Sequence, residues 1–180
     1  MNGEQLRDGI FALKTRRFGA VSETLVQRLL HLGKAKNLFH DLFDETEKER
    51  VEVKFSVVQK KSEIPITEAT VLEAIRGATS EERMVKLDDW KHATFDCNIQ
   101  QVKRNEFDVL YYGLFFADCV VVFRIRSEDF GSKIQYSDCQ HKGNVGEGQF
   151  HINRRTMQVH LDNYFYKRLT YDELLELLTP

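Results

Sequence analysis

The spacing of apolar residues changes period several times along the 180-residue chain. Residues 4–12 carry a short helical pattern. Over 21–32, Leu25, Val26, Leu29, Leu30 and Leu32 recur at three- and four-residue spacing, which predicts a helix with Ser22 as its cap and Gly33 as its stop. The period then falls to two. Residues 50–58, RVEVKFSVV, set Val51, Val53 and Phe55 against Glu52, Lys54 and Ser56. Together with 38–44 they predict a hairpin that turns through the polar residues 46–49. A helix is predicted over 67–78 with Thr67 as cap, continuing helically over 81–93. Residues 107–116 and 119–126 read as a second strand pair around Ala117 and Asp118. The polar, glycine-bearing stretch 127–149 reads as loop, and 149–168 as one or two strands. Residues 170–178, TYDELLELL, form an amphipathic helix in which Glu173 follows Thr170 as in a capping box. The order α-β-β-α-β-β-α predicts one α/β domain over 1–180, a mixed β-sheet flanked by α-helices.

Composition supports a packed core: 42 % of residues are hydrophobic and 30 % charged, with 13 Phe and 6 Tyr. The longest apolar run, 109–125, is broken by Gly113 and Asp118 and is rich in Val, Phe and Tyr, so it reads as buried strands rather than a membrane span. The opening MNGEQLRDGIF lacks the basic and apolar regions of an export signal. Cys97, Cys119 and Cys139 form no CxxC pair, which removes zinc-ribbon and redox-motif readings. Reduced, mostly buried thiols and a cytoplasmic location are expected. The net charge of −2 argues against a protein that coats nucleic acid by bulk positive charge, but not against local basic faces.

The chemistry concentrates in residues 38–56, LFHDLFDETEKERVEVKFS. Glu52 and Lys54 leave the same face of their strand. A turn centred on 46–47 sets Asp41 opposite Glu52, whereas Asp44 would face Glu49 nearer the turn. Two adjacent carboxylates repel unless a cation stands between them. Mg²⁺ prefers oxygen donors and retains waters. Asp41 and Glu52, with the carbonyl of Val53 between Glu52 and Lys54, are therefore the expected metal ligands. Lys54 is placed to orient or activate a water, or to neutralise a phosphate. Metal-assisted phosphodiester hydrolysis needs this combination.

D-x₁₀-E-x-K on a hairpin, preceded by a helix bearing Glu23, resembles the PD-(D/E)xK nuclease superfamily. The segment IQQVKRNEFDVLYYGLFFADCVVVFRI resembles the strand pair that follows the E-x-K strand in type II restriction endonucleases, and GNVGEGQFHINRRT resembles their late recognition region. The resemblance implies a restriction-endonuclease-like fold and Mg²⁺-dependent, sequence-specific cleavage of double-stranded DNA. It makes Asp41, Glu52 and Lys54 catalytic and Glu23 an auxiliary acid. The sequence departs from the motif in one place, where His40 stands instead of Pro. A repair or junction-resolving nuclease of the same fold and a non-catalytic DNA-binding domain are the alternatives.

Charge distribution adds candidate DNA contacts. Residues 14–36 hold six basic residues against Glu23, a net +5, while 41–49 carry a net −4. Lys60 and Lys61 follow the E-x-K strand, and Gln101 and Lys103 precede the second strand pair. Residues 127–168 are the expected recognition region. Within it, Lys142, Asn144, Gln149, His151, Asn153, Arg154 and Arg155 are the residue types that meet base edges and phosphates. Gln149, His151 and Asn153 share a face if extended. A homodimer is expected, because two-fold symmetry matches palindromic sites and supplies one active site per strand.

Overall fold

The computed structural model describes residues 1–61, 64–139 and 145–179, with only the backbone of Val145. Two helices open the chain, α1 (Gly3–Ala12) and α2 (Thr15–Leu30). Two short strands follow, β1 (Gly33–Lys34) and β2 (Leu42–Asp44), and then β3 (Glu49–Val57). Next come α3 (Val71–Arg76), α4 (Ser80–Arg83) and β4 (Asp96–Val102). The hairpin β5 (Val109–Phe115) and β6 (Cys119–Arg126) precedes β7 (Tyr136–Cys139) and β8 (Val145–Asn153). Helix α5 (Met157–Tyr164), β9 (Phe165–Thr170) and α6 (Tyr171–Leu178) complete the described chain.

The large sheet has the order β1-β2-β3-β5-β6-β9, and a three-stranded sheet has the order β4-β8-β7. The large sheet is mixed, because β3 and β5 run parallel while its other pairs are antiparallel. Both faces of β5 and β6 are covered, which accounts for their near-continuous apolar sequence. On one face, Val51, Val53, Val109, Tyr111, Phe115, Val120 and Val122 pack against α1, α2 and α6 through Ile10, Phe11, Leu25, Val26 and Leu174. On the other face, Leu110, Tyr112, Leu114 and Phe123 pack against Cys97 and Ile99 of β4, Phe150 and Ile152 of β8 and Met157 of α5. The small sheet thus shares the core of the large one. Its outer face stays polar, as alternation requires.

This is a mixed α/β fold with a mixed sheet flanked by helices, as the hydrophobic pattern predicts, but several elements differ. Helix α2 begins at Thr15, so Ser22 is not its cap. Ser22 is buried mid-helix and its hydroxyl donates to the Phe18 carbonyl at 3.0 Å. The helix ends not at Gly33 but at His31, which is left-handed (φ 56°), and Gly33 opens β1. The strand expected over 38–44 is confined to Leu42–Asp44. The helix expected over 67–78 is only α3, with Thr67 in the preceding turn. The 81–93 region holds α4 and a 3₁₀ turn at Leu87–Asp89. The loop expected over 127–149 contains β7 and the start of β8, and 149–168 contains the helix α5 as well as strands. Among the described residues no helix is long and apolar enough to cross a membrane. All three cysteines are free, and two of them, Cys97 and Cys119, are buried while Cys139 is exposed, in line with the expectation of mostly buried thiols.

Candidate functional site

The site begins with the β2–β3 turn. Asp44 holds that turn, its carboxylate accepting the backbone N–H groups of Thr46 and Glu47 at 2.8 and 3.0 Å. The pairs are Leu42 with Val51, Phe43 with Arg50 and Asp44 with Glu49, which is the register expected from the sequence. Because paired residues share a face, Asp44 goes with Glu49 and Val51 towards the helices. Asp41 goes with Glu52 and Lys54 towards the small sheet. Asp41, not Asp44, therefore joins the cluster.

Beyond Leu42 the two strands separate. The Asp41 N–H still donates to the Val51 carbonyl at 3.1 Å, but the next donor, Val53 N–H, is taken by the Asp41 carboxylate at 2.9 Å. In a strand the N–H and C=O of one residue point the same way, so the Val53 carbonyl also faces the gap that Asp41 opens. The Lys54 ammonium donates to Glu52 Oε1 and stands 3.9 Å from Asp41 Oδ2. The Glu52 side chain is 11 % exposed, against 24 % for Asp41 and 25 % for Lys54. Burial pushes the Glu52 carboxyl up to about 7, with neighbouring Asp41 adding to the rise and Lys54 opposing it. Burial alone would depress Lys54, but Glu52, Asp41 and Glu23 together raise it. Glu23, from α2, is itself raised by burial and by Asp41. The four residues named from the sequence thus form one electrostatic unit.

These groups open into a cavity of about 220 Å³. Asp41, Glu52 and Lys54 form one wall, and Gln101, Lys103 and Glu147 reach it from the end of the small sheet. Lys103 lies 3.7 Å from Glu106 and 3.8 Å from Glu147. Gln101 sits in a β-bulge with a left-handed backbone (φ 56°), so it breaks the expected alternation with Lys103, yet both line the cavity. Glu106 and Glu147 were not anticipated; both are single acids in polar segments with no periodic signal. Leu38 and Phe39 at the rim are largely exposed.

The acids lining this cavity, Asp41, Glu52, Glu106 and Glu147, are hard oxygen donors that outnumber Lys54 and Lys103. That chemistry suits Mg²⁺. Among the described residues no three His, Cys, Asp or Glu side chains gather into a metal site. A cation held here would therefore rely on the Val53 carbonyl and on water for its remaining positions.

The other candidates gather elsewhere. Lys61, His151, Asn153, Arg154 and Arg155 line a second cleft of about 340 Å³ around Asp96. Asp96 accepts from Lys61 at 3.2 Å and lies 2.9 Å from His151 Nδ1, and these partners lower its carboxyl despite partial burial. Lys60 lies beside this cleft rather than in it, in a groove with Lys61, Arg83 and His92. Gln149, His151 and Asn153 do share one face of β8 and pair with Gln100, Asn98 and Asp96 of β4. Gln149 accepts from the Asn98 amide at 3.0 Å, and Asn153 is engaged in a turn through Arg155 N–H at 2.9 Å. No strand is predicted over 96–102 from the sequence; the alternation D-C-N-I-Q at 96–100 is the signal that marks this strand and its polar face. Lys142 and Asn144 lie outside the described residues. Comparison with protein-family models, with curated proteins and with solved structures finds no match to this chain.

Proposed function

We propose that this protein is a Mg²⁺-dependent endonuclease of the PD-(D/E)xK type with a restriction-endonuclease-like fold, hydrolysing phosphodiester bonds of double-stranded DNA. The observation that carries this reading is the convergence of Asp41, Glu52 and Lys54 on one face of a splayed hairpin, at the wall of a half-closed cavity. Asp41 and Glu52, with the Val53 carbonyl, are the groups that would hold the cation. When bound, Mg²⁺ supplies Lewis acidity to a phosphate oxygen and to water. Lys54, kept charged by its carboxylate neighbours, positions the attacking water or balances charge on the pentacovalent phosphorus. Glu23 adds negative potential behind Asp41. Gln101 and Lys103 stand opposite, where a bound strand would pass.

The amide-rich outer face of the small sheet supports a DNA substrate. Asn98, Gln100, Gln149 and His151 stand in cross-strand register, and Asn and Gln are the side chains that meet adenine edges. Site-specific cleavage by a homodimer, as in type II restriction, is the form of this activity we propose.

Digestion of a sequenced plasmid in Mg²⁺, with EDTA as control, tests the reading. Discrete fragments with the wild-type protein and none with Glu52→Ala or Lys54→Ala are expected. Cutting only at branched or damaged DNA would redirect the assignment to repair. Undiminished Mg²⁺-dependent cleavage by Glu52→Ala would overturn the site.

A further inference from the structure

A larger pocket of about 470 Å³ lies on the other side of His40 from the carboxylate centre. Its wall carries four cations, Lys34, Lys36, Lys48 and Arg50, together with Asn37 and His40, against the single acid Glu45. Two of the cations are already engaged. Lys48 lies 3.2 Å from Glu45, and Arg50 is held by Asp108 at 2.8 Å. Among the described residues neither Lys34 nor Lys36 forms a salt bridge.

The loop from β1 to β2 builds this wall. It closes through Ala35 N–H donating to the Asp41 carbonyl at 3.3 Å, and Asn37 Oδ1 accepts Phe39 N–H at 2.9 Å. The Asn37 amide is thereby left with its NH₂ as donor. The same loop turns His40 inward. His40 is only 8 % exposed, its Nδ1 is buried with no hydrogen-bond partner among the described residues, and its ring borders both this pocket and the cavity of Asp41. The unpaired Nδ1 lies beneath the surface, so His40 frames the wall between the two cavities while Lys34, Lys36 and Asn37 present the polar groups of the pocket.

We propose that Lys34, Lys36, Asn37 and His40 form a phosphate subsite, occupied by a backbone phosphate adjacent to the one cleaved at Asp41 and Glu52. The pocket offers what a phosphate needs: the ammonium groups of Lys34 and Lys36, which form no salt bridge among the described residues, and the Asn37 NH₂, in a concave wall framed by His40. The identity of the phosphate as part of a DNA strand rests on the nuclease reading; the anion site itself does not. His40, which replaces the motif proline, couples the two cavities by bordering both.

The test has two arms. Inorganic phosphate is titrated into ¹⁵N-labelled protein, and the amide signals of residues 33–41 are followed. A labelled DNA duplex is bound in EDTA across a series of salt concentrations. Wild-type protein should show saturable phosphate shifts in that loop. Lys34→Ala with Lys36→Ala should lose them, weaken duplex binding about tenfold and reduce the salt slope by about one. His40→Asn should weaken phosphate binding while retaining the fold, read from the remaining amide spectrum. Phosphate shifts without duplex binding would keep the anion site and overturn both its DNA source and the nuclease reading. Duplex binding and cleavage that the lysine pair leaves unchanged, with no phosphate shifts, would overturn the subsite while leaving the nuclease reading intact.

Discussion

The carboxylate of Asp41 accepts the backbone N–H of Val53 at 2.9 Å, in the place a partner on β2 would fill if the hairpin stayed paired. One side chain thus both ends the ladder and stands beside Glu52 and Lys54. The two roles separate by substitution. Asp41→Asn keeps an acceptor for Val53 and removes the charge. It should fold with near-wild-type stability and lose cleavage by at least about a hundredfold, the scale of removing a charge-stabilising group. Asp41→Ala should lose cleavage and also about 1–3 kcal/mol of stability, the cost of an unsatisfied buried donor. Urea midpoints and cleavage rates measured on both variants decide this, and equal stability of the two would refute the structural role.

Cation binding has a readout independent of cleavage. A ligand that binds only the folded state stabilises it by about 2.7 kcal/mol at a hundred times its dissociation constant. Mg²⁺ should therefore raise the unfolding temperature of wild-type protein, and Glu52→Gln should remove that rise. A Mg²⁺ response of equal size in both proteins would place the cation elsewhere.

Much of the site was legible because it depends on local geometry. A tight turn fixed the register of the hairpin, and strand parity then placed Asp41 with Glu52 and sent Asp44 to the other face. What was not legible depends on tertiary packing or on broken period. The first turns of α2, TRRF, carry little apolar pattern and no side-chain cap. In β4 the alternation holds from Asp96 to Gln100 and fails at the Gln101 bulge. Helix α5 buries His160, a residue that polarity alone assigns to the surface. The unpaired state of His40 has no sequence signature at all, since it is defined by what surrounds the ring.

Gly113 of β5 pairs with Phe55 of β3, and the Phe55 ring lies where a side chain on residue 113 would begin. A Cβ there would collide with three ring atoms. Gly113→Ala should destabilise the fold by about 1–3 kcal/mol, the usual cost of overpacking. Combining it with Phe55→Leu should recover part of that loss. Additive effects in the double-mutant cycle would show that the two residues do not compete for this space.

His160 sets an acid limit on stability. It is 1 % exposed, lies 2.8 Å from the Tyr112 hydroxyl through Nδ1, and burial lowers its pKa to about 4. The folded protein therefore keeps it neutral while the unfolded chain protonates it below about 6.5. Between those values the unfolded state binds more protons, so stability falls as pH drops from about 6.5 to 4 and levels below. The full loss is on the order of 3 kcal/mol. Denaturation of wild type and His160→Gln across pH 4–7.5 isolates this contribution, because Gln keeps a partner for Tyr112 but does not titrate. Parallel pH profiles for the two proteins would rule it out.

Gln101 carries the clearest exchange of stability for function. Its φ of 56° is left-handed, it sits at the register shift of β4, and its side chain is part of the cavity wall opposite Asp41. A non-glycine residue in that conformation is strained by roughly 1–2 kcal/mol, and bulges commonly re-aim a side chain beside a functional site. Gln101→Gly relieves the strain but removes the side chain, so it should stabilise the protein by up to about 1 kcal/mol while lowering cleavage. Gln101→Ala keeps most of the strain and also loses the amide, so it should lower cleavage equally without the gain in stability. The comparison separates the amide from the backbone. If both variants cleave at the wild-type rate, the bulge serves only to shift the register of β4 against β8, and the amide takes no part in holding the strand that crosses the cavity.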